Sequence, residues 1–433
     1  MQHLQLWIDK RERTRCSCIL QTKTGQVIIL NLTLTIVYNM KNKIKKPRMM
    51  FIGNSPTIEH SGQSVVAKHL CTRFIRDYEL GISGWCHDGS PDKVFNGAVE
   101  FPQNIHPFEA IKRYKPDVVF LCHDPYRFKD LHKIVGIHPC KYVGYFTVEA
   151  EPLPYEWKIV VEQCDIVIVP AEYSKRIIED RTTKVHVEVV PFGVDCSLYG
   201  LRKDKKTMCQ LGITQDDIVF LYVGMNQDRK NIGNLMEGFN NFDKKDECIL
   251  IMLAHDNTIG LFGHTIPSNI NISDPFRWRR MLHRLKYIPD NMPLDYVIKL
   301  YGVSDFYFCP SSTEGFGLGI VEAMASGSLP VVTDREPMNS IPQYMVPINV
   351  SSDFIGLWNM DRGISSSKDI TKSMGIAYEL YRNNNDDYKK MVNENLYIVK
   401  ERYDWEKCAD DITKIVKLVM ENTVFSQSVR RFI

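Results

Sequence analysis

The chain has 433 residues, of which 44% are hydrophobic and 24% are charged, and its net charge is +2 at pH 7. This is the balance of an ordinary globular protein, and the length predicts two or three domains. So small a net charge argues against a nucleic-acid partner and against an acidic tail. The 12 cysteines show neither C-x2-C nor paired Cys/His spacing, which argues against a zinc site and favours free thiols in a reducing, cytoplasmic compartment.

Residues 1–48 differ in pattern from the rest of the chain, and we assign no catalytic role to this N-terminal extension. Its apolar run from Val27 to Tyr38 is too short to span a bilayer unaided. A strand pair, a poor signal anchor and a weakly packed extension all fit it. The basic run Lys41–Arg48 is typical of a solvated linker, and contact with an anionic membrane surface is the alternative. Three further basic residues support peripheral membrane contact as a hypothesis: Lys68, Arg73 and Arg76.

From Met49 onward, strand patterns alternate with helix patterns, which predicts a doubly wound α/β domain over residues 49–197. The residues from Met49 to Asn54 predict a buried strand, and a loop then leads into a helix from Ser64 to Tyr78. Ligands of such folds bind at the carboxyl edge of the sheet, where this loop is expected to lie. The loop lacks the G-x-G-x-x-G pattern, which argues against a nicotinamide-dependent oxidoreductase.

The strand predicted over residues 117–123 ends in His123, a position that favours a side chain lining a cleft. A histidine satisfied within the core is the alternative interpretation. The next strand begins at Lys141 and leads into an acidic loop that contains Glu149 and Glu151.

Residues 198–215 are polar and predict a linker, after which a second α/β domain is predicted over 216–402. Its first strand is followed by Arg229 and Lys230. An Arg fork and a Lys point charge suit a diphosphate, although such a pair alone is usually solvated surface charge. Residues 403–433 predict a terminal helix with a frayed tail.

Within the second domain, residues 256–275 have the polar composition of an insertion, and a basic helix is predicted from Phe276 to Tyr287. Further helices are predicted from Leu294 to Ser304, from Asp386 to Tyr403 and from Trp405 to Met420.

Residues 306–327 carry the most specific pattern of the chain. Four apolar residues from Phe306 predict a strand, a polar loop follows, and a helix then runs from Leu318 until Gly327 stops it. A glycine-bearing loop that opens a helix is a site for anions, because free N–H groups and the positive end of the helix dipole meet there. Glu314 lies in the loop, and Glu322 lies about one turn into the helix, roughly 6 Å from its beginning.

This stretch resembles the E-x7-E segment of the retaining family 4 glycosyltransferases (glycosyl transferases group 1), which have the GT-B fold. Residues 185–195 resemble the segment that precedes the interdomain linker in that family. The resemblance implies two Rossmann-like domains that face each other across a cleft. Two positions depart from the family pattern: Phe192, where a histidine is frequent, and Met225, where many members have an arginine.

The resemblance also implies roles for the candidate residues. Glu314 would contact the transferred sugar, and Glu322 would hold the ribose hydroxyls. From its position at the end of a strand, we expect His123 to line the cleft and orient the sugar in catalysis. The group expected at the donor diphosphate comprises Arg229, Lys230, Gly315, Phe316 and Gly317, while Gly62 would face the acceptor or a phosphate. The terminal helix would cross back onto the first domain.

The predicted function is therefore retaining transfer of a hexosyl-type sugar from a nucleotide-diphosphate-sugar to a glycan, lipid-linked or protein acceptor. No cofactor or metal is expected, since the chain contains no D-x-D motif to place carboxylates beside a phosphate-bound cation. Two alternatives remain at this point. One is a catalytically degenerate GT-B scaffold or carbohydrate-binding subunit, and the other is a sugar-nucleotide epimerase or phosphorylase of the same fold.

Overall fold

The computed structural model divides the chain into two compact units, Met1–Lys46 and Pro47–Ile433. The residues that the structure describes are 5–8, 16–21, 27–32, 46–57, 62–85, 95–135, 138–200, 204–255, 284–288 and 292–421. In the first unit β1 (Gln5–Ile8), β2 (Cys16–Gln21) and β3 (Val27–Leu32) form an antiparallel sheet in the order β1-β2-β3. The described part of the apolar run forms one strand, β3, whose partner β2 precedes the run. Residues 33–38 of the run and residues 41–45 of the basic run lie outside the described residues, so the choice among the three interpretations of the run stays open.

The second unit begins with a seven-stranded parallel sheet in the order β10-β9-β8-β7-β4-β5-β6. Its strands are β4 (Arg48–Asn54), β5 (Glu79–Trp85), β6 (Ala98–Phe101), β7 (Val118–His123), β8 (Lys141–Phe146), β9 (Ile166–Val169) and β10 (Val187–Val189). The central strand β7 is buried along its whole length. Helices cover both faces of such a parallel sheet, and a strand buried on both faces is apolar throughout.

A second parallel sheet follows, with six strands in the order β13-β12-β11-β14-β15-β16. They are β11 (Ile218–Met225), β12 (Cys248–His255), β13 (Leu285–Ile288), β14 (Phe306–Cys309), β15 (Leu329–Thr333) and β16 (Val346–Ile348). After β16, the strands β17 (Ser352–Ile355) and β18 (Asp361–Ile364) form a separate antiparallel hairpin. In both sheets the carboxyl ends of all strands lie at one edge, where loops can carry a site.

Helices connect the strands and bury their apolar faces against the sheets. In the first half they are α1 (Gly62–Asp77), α2 (Pro107–Tyr114), α3 (His132–Val135), α4 (Tyr155–Val161) and α5 (Glu172–Glu179). The second half contains α6 (Lys205–Leu211), α7 (Ile232–Asn241), α8 (Leu294–Val303), α9 (Leu318–Ala325), α10 (Ser367–Asn383), α11 (Asn385–Arg402) and α12 (Trp405–Glu421). The predicted helices beginning near residues 64, 294, 386 and 405 are confirmed within two residues.

Two local predictions need correction. Residues 205–211 of the predicted linker form α6, because Asp204 caps a helix that Gly212 ends in the left-handed conformation. The helix predicted from Phe276 to Tyr287 is wrong at its end, since residues 285–287 belong to strand β13, which pairs with β12. Tertiary pairing overrides local helical preference there. The rest of that prediction and the insertion at 256–275 lie outside the described residues.

The terminal helix α12 packs on the first half of the unit. Asp404 forms a parallel bridge with Val194, and Arg73 of α1 holds Asp410 of α12 at 2.6 Å. The chain thus returns to the sheet with which the unit begins. Across the described ranges, we find no helix that is both long and apolar enough to cross a membrane.

Candidate functional site

The loop between β14 and α9 forms the centre of the candidate site. All four residues of β14 are buried, and α9 begins directly after Gly317. Gly317 has a φ of +119°, a conformation that a residue with a side chain rarely adopts. Phe316 anchors the loop in the hydrophobic core, since its buried ring contacts the rings of Phe192 and Tyr403 at centroid distances of 5.4 and 6.0 Å. The predicted strand, loop and helix are therefore present.

Phe192, which replaces a frequent histidine, serves this packing. Besides Phe316, its ring contacts Tyr145 at 5.1 Å and Trp405 at 6.5 Å. It is 3% exposed and joins residues of both halves in one hydrophobic core.

Glu314 is the centre of an ion-pair cluster above this loop. Its carboxylate accepts hydrogen bonds from Arg229 at 2.9 Å, from Ser311 at 2.6 Å and from Lys230. Burial alone would raise the pKa of Glu314, but Lys230 and Arg229 outweigh it and lower that pKa to about 2. Glu314 is therefore a buried carboxylate that is ionised at neutral pH.

Arg229 extends the cluster toward the first half of the unit. Its guanidinium donates to the carbonyl oxygen of Thr313 at 3.0 Å and lies 3.6 Å from the carboxylate of Glu149. Burial would lower the pKa of Arg229, but Glu314 and Glu149 raise it above its usual value. Burial raises the pKa of Glu149, against the opposing effect of Arg229. Glu149 follows β8, so the cluster joins both sheets.

The two halves also touch beside the cluster. A Cβ added to Gly315 would lie 2.8 Å from Cβ of Thr147, and one added to Gly62 would lie 3.1 Å from Leu318. Thr313 donates a hydrogen bond to the carbonyl oxygen of Glu149. The beginnings of α1 and α9 therefore face each other, which places Gly62 beside the first residue of α9.

His123 lies at the carboxyl end of β7, and its side chain is 11% exposed. Its Nδ1 accepts a hydrogen bond from the backbone N–H of Asp124 at 2.7 Å, which leaves Nε2 as the protonated nitrogen of the neutral ring. The Asp124 carboxylate is farther away, at 3.5 Å. The ring meets Trp85 edge to face at a centroid distance of 5.3 Å, so aromatic packing fixes its plane.

Glu322 has different partners from Glu314. Tyr199 and Tyr301 donate hydrogen bonds to its two carboxylate oxygens at 3.0 and 2.9 Å. Burial raises the pKa of Glu322, and the two phenols only partly oppose this because they are neutral. Glu322 therefore holds hydroxyl groups in the structure, which is the chemistry that a ribose would present.

The hairpin β17–β18 brings a further group to the cleft. Arg362 on β18 lies 3.7 Å from the carboxylate of Glu149, and the N–H of Asp361 donates to the carbonyl oxygen of Glu151 at 2.7 Å. At its turn, Trp358 contacts Tyr126 and Trp157 of the first half at centroid distances of 5.8 and 6.1 Å. The hairpin therefore reaches from the second half onto the first.

The structure brings Glu314 into direct contact with Arg229 and Lys230. Their predicted roles toward a sugar and a diphosphate stay predictions. Sequence reasoning did not assign Glu149 or Arg362 to the site. Glu149 follows a strand at the carboxyl edge, which was a usable signal, whereas Arg362 has no local motif. Among the described residues, no three His, Cys, Asp or Glu side chains are arranged to hold a metal ion.

Comparison with solved structures defines the class of fold. Sucrose-phosphate synthase from Thermosynechococcus elongatus aligns with a TM-score of 0.67 and 13% identity, covering 86% of this chain and 99% of that one. Anabaena HepE in complex with UDP and glucose aligns with a TM-score of 0.65 and 13% identity, covering 86% and 100%. With its two parallel sheets, the protein has the GT-B fold of glycosyltransferases, and the predicted fold class is confirmed.

Sequence comparison adds the family of one segment. Residues 203–341, which include Arg229, Lys230, Glu314 and Glu322, match the family model for glycosyl transferases group 1. The GDP-mannose:cellobiosyl-diphosphopolyprenol alpha-mannosyltransferase of Komagataeibacter xylinus is 27% identical over 122 residues, 28% of this chain and 27% of that protein. The alpha-monoglucosyldiacylglycerol synthase of Streptococcus pneumoniae (strain ATCC BAA-255 / R6) is 24% identical over 178 residues, 40% of this chain and 38% of that protein. The chain thus matches well under half the length of these two relatives.

Proposed function

We propose that the protein is a retaining glycosyltransferase that moves a hexosyl-type sugar from a nucleotide-diphosphate-sugar to an acceptor. The observation that carries the proposal is the cluster of Glu314, Arg229 and Lys230 at the beginning of α9, between two sheets of a GT-B fold. The group 1 match over residues 203–341 supports it, as do the activities named for the two relatives.

The cluster suits the departure of a diphosphate. As the bond from the sugar to the phosphate breaks, negative charge grows on the phosphate, and positive charge grows at the anomeric carbon. Arg229, Lys230 and the N–H groups at residues 315–317 would stabilise the phosphate charge without rearranging, which is electrostatic preorganisation. Glu314, held ionised by the same cations, would stabilise positive charge on the sugar.

The other candidate residues fit around this centre. The ribose hydroxyls of the donor would take over hydrogen bonds to Glu322 that Tyr199 and Tyr301 now donate. His123, with its proton on Nε2, would donate a hydrogen bond to a sugar hydroxyl and orient the ring. The positive charge beside the phosphates comes from side chains, so we propose that no metal is required.

For the acceptor we propose a lipid-linked molecule first, because the names of both relatives contain a lipid, a diphosphopolyprenol and a diacylglycerol. Peripheral contact with an anionic membrane stays a hypothesis. Two of the basic residues that suggested it are paired within the protein, since Arg73 holds Asp410 and Arg76 lies 3.7 Å from Glu406. Flotation with anionic vesicles at low and high salt tests it.

A first experiment measures donor binding and transfer. We expect UDP or GDP to bind the full chain in calorimetry and the matching nucleotide-sugar to support transfer in the presence of EDTA. Lys230→Ala should weaken binding roughly tenfold, because it removes one charge-assisted contact. Glu314→Gln should abolish transfer while binding persists.

Lys244→Ala is the matched control, since Lys244 pairs on the surface with Glu247 at 3.9 Å. Parental turnover in both site variants would contradict the proposal.

A nucleotide-sugar-binding subunit without transferase activity is the second candidate. Met225 favours it, because an uncharged side chain ends β11 where many group 1 members place a cation. Binding of a nucleoside diphosphate without turnover against glycan, lipid-linked or protein acceptors would support this candidate. An epimerase would instead yield a new nucleotide-sugar, and a phosphorylase would require phosphate.

A further inference from the structure

Arg362 is a partly buried cation with incomplete partners. Its side chain is 13% exposed, and Nη2 lies 3.7 Å from Glu149, beyond normal hydrogen-bond distance. Its Nε is buried and has no hydrogen-bond partner among the described residues. An unmatched buried N–H of a charged group is costly, so such a group in a native site calls for a ligand or another explanation.

The hairpin is shaped to hold this side chain in place. A Cβ on Gly356 would lie 2.5 Å from Cδ of Arg362, so the glycine leaves room for the arginine. The N–H of the next residue, Gly363, donates to the carbonyl oxygen of Ser312 at 3.3 Å. Arg362 is therefore attached to the same loop that presents Glu314.

Glu149 lies between two guanidinium groups and bonds closely to neither. Arg229 lies 3.6 Å away and Arg362 lies 3.7 Å away, on different oxygens of the carboxylate. An arginine fork makes its strongest contacts with an oxyanion at about 2.7–2.9 Å. A bound oxyanion would supply the close partner that Glu149 does not.

We propose that Arg362 binds a phosphate group of a substrate in this cleft, with Glu149 holding the guanidinium in readiness. The inference deepens the proposed function and rests on it. The phosphate belongs either to the donor diphosphate or to a phosphorylated acceptor. Both sources present the same chemistry to Arg362, and binding measurements separate them.

The test compares wild-type protein with Arg362→Gln in calorimetry. UDP and GDP probe the donor source, and inorganic phosphate is titrated into both free and nucleotide-saturated protein. A donor role predicts that Arg362→Gln weakens nucleoside diphosphate binding by roughly tenfold or more. An acceptor role predicts unchanged nucleotide affinity together with loss of phosphate binding to the saturated protein.

Two further variants separate binding from folding. Gly356→Ala keeps every charge but displaces Arg362, so it should reproduce the binding defect even if Arg362→Gln fails to fold. Arg335→Gln removes another arginine that holds the hairpin, through Asp353, and should leave binding unchanged. Equal defects in Arg335→Gln and Arg362→Gln would overturn the inference, because hairpin placement would then explain both.

The outcomes also distinguish this inference from the proposed function. If wild type binds a nucleoside diphosphate and Lys230→Ala binds it more weakly, while Arg362→Gln matches wild type in every titration, only the inference falls. If wild type binds no nucleoside diphosphate, the proposed function falls. If free wild-type protein still binds inorganic phosphate and Arg362→Gln does not, the phosphate site at Arg362 stands without the proposed function. If free wild-type protein binds no phosphate either, both the proposed function and the inference fall.

Discussion

At the scale of single residues, two glutamates near one helix have opposite electrostatic surroundings. Glu314 faces two cations, so its pKa falls to about 2 despite burial. Glu322 faces two neutral phenols, so burial dominates and its pKa rises. The same residue type is thereby fixed as a charge at one position and as a hydroxyl-binding group at the other.

These shifts predict opposite pH dependences of stability. The pKa of Glu314 is ordinarily 4.5 and about 2 in the folded protein. The contribution of its carboxylate to folding stability is therefore complete above pH 4.5 and is lost as pH falls toward 2. The stability difference between wild type and Glu314→Gln should therefore shrink by on the order of 2 kcal/mol over that range. Urea unfolding at several pH values between 2 and 7 measures it.

Glu322→Gln provides the internal comparison. A folded pKa raised above 4.5 gives a contribution that is complete at low pH and is lost as pH rises through the raised value. The free energy of unfolding of Glu322→Gln, relative to that of wild type, should therefore rise as pH increases. For Glu314→Gln it should fall. Parallel profiles for the two variants would show that their carboxyl groups do not differ in this way.

At the scale of elements, the loop between β14 and α9 was predictable because its signals are local. Four apolar residues, a proline, two glycines in the loop, a helical period and a glycine at the end of the helix lie within 22 residues, from Phe306 to Gly327. The hairpin β17–β18 was not predicted. Its position depends on contacts with distant partners such as Tyr126, Glu149 and Glu151, which no local pattern encodes.

The contact between Gly315 and Thr147 gives a prediction about this loop. A Cβ at residue 315 would lie 2.8 Å from Cβ of Thr147, a separation that requires the two elements to move apart. We expect Gly315→Ala to cost roughly 1–3 kcal/mol, the usual effect of overpacking, and to slow transfer because Glu314 moves with the loop. Thermal unfolding and turnover measure both effects.

A second substitution decides whether the contact is the cause. Thr147→Gly removes the opposing Cβ, so the double variant should recover part of the stability lost in Gly315→Ala. Gly200→Ala is the control, since an added Cβ there meets no atom of the described residues within 4 Å. Additive effects of the two substitutions would show that the clash does not cause the loss.

At the scale of the whole molecule, the order of strand and helix patterns predicted two parallel sheets, because buried parallel strands and amphipathic helices have distinct periods. What the sequence could not give is how closely the halves approach. That depends on contacts between residues far apart in the chain, such as Gly315 with Thr147 and Arg229 with Glu149. The ion-pair cluster around Glu314 joins the halves through the same kind of long-range contact.

The return of α12 to the first half should stabilise the molecule mainly through packing. Trp405 is 4% exposed and stacks on His69 at a centroid distance of 5.0 Å, and Gly193 packs against its backbone. Trp405→Ala should therefore cost about 3–5 kcal/mol. Asp410→Asn removes a partly exposed ion pair with Arg73 and should cost about 1 kcal/mol or less.

Urea unfolding of the full chain measures this difference, and turnover shows whether it reaches the site. Trp405 also touches Phe192, which packs on Phe316 beneath the loop of Glu314. Loss of Trp405 should therefore reduce transfer as well as stability, whereas Asp410→Asn should leave turnover unchanged. If Asp410→Asn cost as much stability as Trp405→Ala, charge pairing rather than burial would fasten the terminal helix. The path from α12 to the site through Phe192 would then lose its support.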